Sequence, residues 1–176
     1  MLKDILGLSW TLFIDRDGVI NKRIFGDYVK FKSDFHFEKG VFDFFKFANT
    51  NFYKIIVVTN QQGVGKGLMT LSELDCIHDF MKQSIQNNGG RIDQIYAATN
   101  LKNDDLDIRK PLPYMGQKAK IDFPAIDFQK SIMIGDTNSD ILFGKNLGMK
   151  TILIKSDEIV TEKPDFIVSS LYDLIF

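Results

Sequence analysis

Short apolar runs alternating with stretches of helical periodicity constrain this chain more than any other feature. Trp10-Thr11-Leu12-Phe13-Ile14 ends at Asp15, and the β-branched Ile55-Ile56-Val57-Val58 ends at Thr59-Asn60. Compact runs of this kind read as buried strands. Ile92–Ala98 and Ile132-Met133-Ile134 give a third and a fourth strand, with Thr151–Ile154 and Phe166–Val168 two more. Between them Val41–Ala48 reads as helix. Thr70-Leu71-Ser72-Glu73 reads as a capping box opening a helix that carries Leu74, Ile77, Met81 and Ile85 and ends at Asn88-Gly89-Gly90. Ser139–Leu147 is a further helix, with Gly148 as its C-terminal cap. Strand–helix alternation predicts an α/β fold, a doubly wound parallel sheet with helices on both faces, formed by one domain over residues 1–176.

Composition narrows the partners. With 176 residues, 44% hydrophobic and 26% charged, the chain is long and apolar enough for an ordinary core. A net charge of −1 argues against general affinity for nucleic acid or anionic lipid. No apolar run approaches the roughly 18 residues of a membrane span, and MLKDILGLSW is too short and too charged for a secretory signal. A cytoplasmic monomer, bound to neither membrane nor nucleic acid, is expected. Cys76 is the single cysteine, which excludes an internal disulfide and a multi-cysteine zinc site. The 16 phenylalanines, Phe35 and Phe37 among them, are expected to pack the core.

In a parallel sheet, reactive groups gather at the carboxyl ends of the strands. The first strand delivers Asp15-Arg16-Asp17-Gly18, the second Thr59-Asn60, and the fourth Gly135-Asp136 with Asp140 a helical turn on. Arg109-Lys110 precedes Pro111. Aspartates also cap helices and fill βα loops. That reading suffices for any one of them; for the whole set in this order, convergence on one site is preferred. Asp15 and Asp17 would repel each other without a shared cation or proton, and Asp136 adds a third oxygen source, a set suited to Mg²⁺. A carboxylate held beside such an ion stays ionised and can attack phosphorus, while Asp17 serves as acid and base. Thr59 and Lys110 suit the phosphoryl oxygens, and Arg109 adds a forked contact.

The DxDG after a strand, Thr at the next strand end, a Lys, and GDxxxD resemble, in order, the four motifs of haloacid dehalogenase phosphohydrolases of subfamily IIIA. LFIDRDGVIN at 12–21, VVTNQQGVGKG at 57–67, RKPLPYM at 109–115 and IGDTNSD at 134–140 are similar to those of the phosphatases of D-glycero-D-manno-heptose 1,7-bisphosphate and histidinol phosphate. The resemblance implies Asp15 as nucleophile and metal ligand, and Asp17 as acid/base and as a ligand through its main-chain carbonyl. It implies Thr59 and Lys110 as phosphoryl-binding groups, Asp136 as the remaining ligand of Mg²⁺, and Asp140 as an orienting group. Asn60 and Arg109 would shape the pocket for a small phosphorylated metabolite. The intervals from Asp15 to Thr59 and from Thr59 to Lys110 are consumed by sheet elements, so no cap domain is expected and loops 20–39 and 99–116 should govern access.

Two departures stand out. Heptose enzymes commonly carry a zinc loop, C-x-H…C-x-C, ahead of Arg-Lys-Pro; here Ala98, Asn100, Leu106 and Ile108 fall at the ligand positions. No zinc is expected, and the loop should be more mobile unless Leu106 and Ile108 pack inward. Tyr114 stands where relatives have Gly, which would narrow the pocket or alter the turn.

Other signals are discounted. Gly63-Val64-Gly65-Lys66-Gly67 is not a P-loop, since no Ser/Thr follows Lys66, whose role the sequence leaves open. His36 lacks ligand partners, His78 is expected at or near the surface, and Cys76 in the core. The expected function is Mg²⁺-dependent phosphomonoester hydrolysis on a sugar bisphosphate. Alternatives are a histidinol-phosphate phosphatase, a polynucleotide end-phosphatase, and a non-catalytic phospho-ligand module. A phospho-acceptor receiver is set aside because Val57-Val58-Thr59 ends without an Asp.

Overall fold

The computed structural model describes residues 9–102 and 107–175. Six parallel strands form one sheet: β1 (Thr11–Ile14), β2 (Lys54–Asn60), β3 (Gln94–Ala98), β4 (Ser131–Gly135), β5 (Lys150–Ile154) and β6 (Phe166–Val168). Their spatial order is β3-β2-β1-β4-β5-β6. Leu12 sits between Ile55 and Ile132, and Phe13 between Ile56 and Met133. The chain winds outward from β1 to β3 and then returns to place β4 on the other side of β1. That reversal leaves a crevice beyond the carboxyl ends of β1 and β4, where parallel sheets bind their ligands.

Alternation along the strands builds two cores. Leu12, Ile14, Ile55, Val57, Ile132 and Ile134 face one side. There they meet Val41, Phe44, Phe45 and Ala48 of α1 (Val41–Asn51) and Leu74, Ile77, Met81 and Ile85 of α2 (Leu71–Asn87). Phe13, Ile56, Val58 and Met133 face the other, under Met115 and Ala119 of α3 (Tyr114–Asp122) and Phe143 of α4 (Asn138–Leu147). Helices therefore cover both faces, as the alternation predicts. Truncating Phe13 or Phe143, both fully buried, would cost about 3–5 kcal/mol. Among the described residues nothing resembling a cap is inserted between β1 and β2 or between β2 and β3.

The caps follow the sequence. Thr70 and Glu73 form their reciprocal box at the start of α2 (Thr70 N–H to Glu73 Oε2, 2.7 Å), and Gly148 ends α4 in the left-handed region at φ 76°. Helix α3 was not predicted. Two prolines and a glycine obscure its start, and its buried side is only Met115, Gly116 and Ala119. Gly116 permits the contact with α4, since a Cβ there would lie 2.4 Å from Leu147 Cδ1.

Phe35, Phe37, Phe42 and Phe80 form a ring cluster with centroids 4.7–6.1 Å apart, so Phe35 and Phe37 pack rather than line a pocket. Phe25 and Phe31, by contrast, are exposed. Two expectations for α2 are overturned: Cys76 is exposed and His78 is buried. No helix among the described residues is long and apolar enough to cross a membrane.

Candidate active site

The site is built on the ends of β1 and β4. The Asp15 amide donates to Ile134 O at 2.9 Å, which carries strand pairing one residue past β1. The chain then turns tightly, with the Ile20 amide returning to Arg16 O at 2.8 Å. Gly18 makes this turn possible at φ 87°, and a Cβ there would lie 2.1 Å from Asp136 Oδ2. Only glycine lets the β1 loop approach the β4 carboxylate so closely.

Lys110 is fully sequestered behind Asp15. Its ammonium donates to Val58 O at 2.8 Å and forms ion pairs with Asp15 Oδ1 at 2.8 Å and Asp140 Oδ1 at 2.5 Å. Asn60 clamps the Lys110 backbone in both directions, accepting from its amide at 2.9 Å and donating to its carbonyl at 3.1 Å. The Asp140 Oδ2 atom accepts from the Asp136 amide, the Thr137 amide and the Thr137 hydroxyl, which makes it the capping box of α4. Burial alone would lower the Lys110 pKa, but Asp140 and Asp15 outweigh it and raise the value, so the ammonium stays charged.

Asp15 Oδ1 takes both Lys110 and the Arg16 amide, the latter at 2.7 Å, whereas Oδ2 accepts no hydrogen bond among the described residues. Burial first, then the charge of Asp140, pushes the Asp15 carboxyl up to about 6 despite Lys110. Asp17 receives Arg16 Nη2 at 3.0 Å, Asn21 Nδ2 at 2.9 Å and Gln61 Nε2 at 2.7 Å. Burial opposes ionisation there too, but Arg16, Asn21 and Gln61 more than offset it and hold Asp17 below the usual carboxylate range. Gln61 Nε2 also donates to Thr59 Oγ1 at 2.8 Å, which fixes the threonine hydroxyl beside Asp17. Arg16 is itself fully buried, and its Nη1 lies 3.2 Å from His78 Nε2. Burial and the Arg16 charge lower the His78 pKa to about 3, so the imidazole is neutral and accepts from the guanidinium.

At Asp136, burial and the charges of Asp15 and Asp140 push the carboxyl up to about 7. Oxygens of Asp15, Asp136 and Asp140 lie within 4.8 Å of one another. The donor set is all oxygen, as a hard divalent cation requires. Arg23 already stands there as a cation, gripping Asp136 through Nε (3.1 Å to Oδ2) and Nη2 (2.7 Å to Oδ1) while Nη2 also donates to Asp17 O at 2.9 Å. The residues therefore fit a metal held by Asp15, Asp136 and the Asp17 carbonyl. Asp140, committed to Lys110 and to its cap, is left as an orienting group.

The structure brings Asp15, Asp17, Thr59, Asn60 and Lys110 to one cleft of about 130 Å³, with Asp136 against it through Arg23. The loop 20–39 supplies a wall of that cleft through Arg23, Ile24, Asp27, Tyr28 and Val29. Arg109 does not line it; its Nε lies 3.3 Å from Asp107 Oδ1. Asp107 Oδ1 also receives Asn100 Nδ2 at 3.2 Å and the Arg109 amide at 3.0 Å, so hydrogen bonds tie Asn100 to the segment that carries Arg109. Ile108 packs on the Phe13 core; the expectation for Leu106 lies outside the described residues. Tyr114 starts α3, is largely exposed and lies away from the cleft, so it does not narrow it. Lys66 sits over the Tyr28 ring at 5.4 Å.

Sequence reasoning missed Arg16, Arg23, Gln61 and His78. Of these His78 carried a usable signal, because it falls on the Leu74, Ile77, Met81, Ile85 stripe of α2.

A parallel sheet with this aspartate pair after β1, Thr59 after β2, a buried lysine and the Asp136/Asp140 pair after β4 is the arrangement of haloacid dehalogenase-like hydrolases. A family model described as HAD-hydrolase-like matches residues 107–174. Within that class, the D-glycero-beta-D-manno-heptose-1,7-bisphosphate 7-phosphatase of Helicobacter pylori strain J99 is 36% identical over 145 residues, covering 82% of each chain. The D-glycero-alpha-D-manno-heptose-1,7-bisphosphate 7-phosphatase of Mycobacterium tuberculosis strain H37Rv is 33% identical, covering 84% of this chain and 77% of that one. The chain belongs to this family of heptose-bisphosphate phosphatases. Its fold is shared with the D,D-heptose 1,7-bisphosphate phosphatase of B. bronchiseptica, solved with magnesium and phosphate, at a TM-score of 0.84 and 22% identity over 94% of this chain and 95% of that one.

Proposed function

We propose that this protein is a Mg²⁺-dependent phosphatase that removes one phosphate from a sugar bisphosphate of the D-glycero-D-manno-heptose 1,7-bisphosphate type. The observation that carries the reading is the asymmetry of Asp15: one carboxylate oxygen is held by Lys110 and the Arg16 amide, while the other accepts no hydrogen bond, in a carboxylate that lines the cleft. That free oxygen attacks phosphorus, the bond to the sugar oxygen breaks, and an aspartyl-phosphate forms at Asp15. Asp17, which takes up a proton from solvent when the substrate's phosphoryl group binds beside it, gives that proton to the departing alcohol, then takes one from the water that cleaves the phospho-enzyme and releases inorganic phosphate. The Thr59 hydroxyl donates to the phosphoryl oxygens, and the Lys110 ammonium, held against Asp15, supplies a fixed positive charge beside them. Asp15, Asp136 and the Asp17 carbonyl would hold Mg²⁺, which would supply charge neutralisation between the carboxylates and the phosphoryl group. Asn60 contributes by clamping Lys110, and Arg109 from the loop beyond it.

The relatives' names divide between alpha and beta anomers, so the test is kcat/KM for phosphate release from both anomers, beside histidinol phosphate and end-phosphorylated oligonucleotides. A heptose bisphosphate should lead by about tenfold or more. Preference for either of the other substrates would replace this reading, and no turnover of any would favour a non-catalytic phospho-ligand module. We also propose that residues 1–176 act as one cytoplasmic, monomeric domain that carries no zinc. Light scattering at the dimer mass or one zinc per chain on metal analysis would contradict this.

A further inference from the structure

We propose that Arg23 is a tethered cation that occupies the divalent-metal position when the ion is absent and must leave for the ion to enter. The inference rests on the metal reading above.

Arg23 Nη2 lies 2.7 Å from Asp136 Oδ1 and 2.9 Å from Asp17 O. These are two of the oxygens assigned to the ion. An ion bound to both would sit about 2.0–2.1 Å from each, in the space the guanidinium fills, so the two cations exclude one another. The guanidinium also neutralises what the ion would neutralise. Asp136 is fully buried, and Arg23 is the one arginine or lysine paired with it among the described residues.

Release is feasible. The Arg23 side chain is about a quarter exposed, and it lines both the catalytic cleft and an open neighbouring cavity of about 520 Å³. A side chain already at the boundary of two open cavities can exchange its carboxylate for solvent without unfolding anything. The consequence is reciprocal coupling: Arg23 weakens the ion, and the ion frees Arg23.

Two measurements test this without relying on turnover. The first is the Kd of Mn²⁺, read by electron paramagnetic resonance with Mg²⁺ competition, for the wild type, Arg23→Gln and Arg23→Lys. Arg23→Gln should bind about tenfold more tightly, with Arg23→Lys between, since an ammonium cannot reproduce the forked grip. The second uses the wild type alone, so it does not depend on any variant folding. Phenylglyoxal labelling of Arg23, followed by peptide mass spectrometry, should be slow in EDTA and accelerate on adding Mg²⁺. Equal or weaker Mn²⁺ binding by Arg23→Gln, or labelling unchanged by Mg²⁺, overturns the proposal while leaving the phosphatase reading intact. Absence of Mn²⁺ binding in every form overturns both.

Discussion

Replacing His78 by Gln should change how stability depends on pH. In the folded protein, burial and then Arg16 hold the His78 pKa down at about 3, against 6.5 for the exposed, partner-free side chain in the unfolded chain. Between those values the unfolded chain binds a proton that the folded chain refuses, so stability rises with pH across the window. The His78 contribution is complete above pH 6.5 and is lost as pH falls towards 3. At pH 5 the loss is about one and a half pKa units' worth, roughly 2 kcal/mol. Asp15 and Asp136 act in the opposite sense, because their folded values are raised to about 6 and about 7 and they gain stability as pH falls towards 3.8. The wild-type curve therefore mixes the signs, and only its difference from the variant isolates the histidine. Gln offers Arg16 Nη1 an acceptor in place of Nε2 but does not titrate. The assay is urea unfolding in EDTA, followed by the fluorescence of Trp10, which packs against the α1/α2 core. Between pH 7.5 and pH 5 the wild type should lose about 2 kcal/mol relative to His78→Gln. A difference that stays constant within about 0.5 kcal/mol would refute the assignment of a neutral, buried His78 to the folded state.

Asp15→Asn should abolish phosphate release, because an amide is a poor nucleophile; its Tm at pH 7.5 should not fall, since burial and Asp140 already disfavour the ionised Asp15. Lys110→Met leaves Asp15 and Asp140 buried without their shared cation and should cost about 3–5 kcal/mol in urea unfolding, in addition to losing activity. In pH–rate profiles, the alkaline limb of kcat should lie at higher pH than that of kcat/KM, because Asp17 must carry a proton to release the alcohol, is held ionised in the free site and gains proton affinity beside a bound phosphoryl group. Coincident limbs would remove Asp17 from the acid/base role.

The sheet and the strand-end residues were legible because each depends on a local pattern. A β-branched run ending at Thr59, or Ile132–Ile134 ending at Gly135-Asp136, announces both a buried strand and the group it delivers. What was missed depends on contacts across the fold. Arg16 meets His78 from sixty-two positions away, and Arg23 meets Asp136 from one hundred and thirteen. Helix α2 shows where a pattern was present but underused. His78 lies four residues beyond Leu74 and three before Met81, on the buried stripe. Cys76, two residues away, turns about 200° round the helix and faces solvent. Residue chemistry favoured a buried cysteine and a surface histidine; helical phase decided otherwise. Helix α3 was illegible for a different reason, since its inner face needs small residues to approach Leu147 and so lacks the large apolar side chains that reveal a helix.

On the proposed mechanism, the surroundings of Asp17 explain how one carboxylate would serve both as acid and as base. Three donors, from Arg16, Asn21 and Gln61, stabilise its ionised form in the free site. That state alone would make it a base with no proton to give. A phosphoryl group arriving next to Thr59 and Lys110 adds like charge close to Asp17, which raises its proton affinity at the moment a proton is needed on the leaving alcohol. Once the alcohol has left, Asp17 is again the ionised, three-donor carboxylate, now facing the water that attacks the phospho-enzyme. Gln61 links the two settings because its one amide nitrogen serves both Asp17 and Thr59, so a change in the threonine's partner is felt directly at the acid. His78 supports the arrangement from behind: a neutral acceptor on Arg16 orients the guanidinium towards Asp17 without adding a second positive charge to the buried pair.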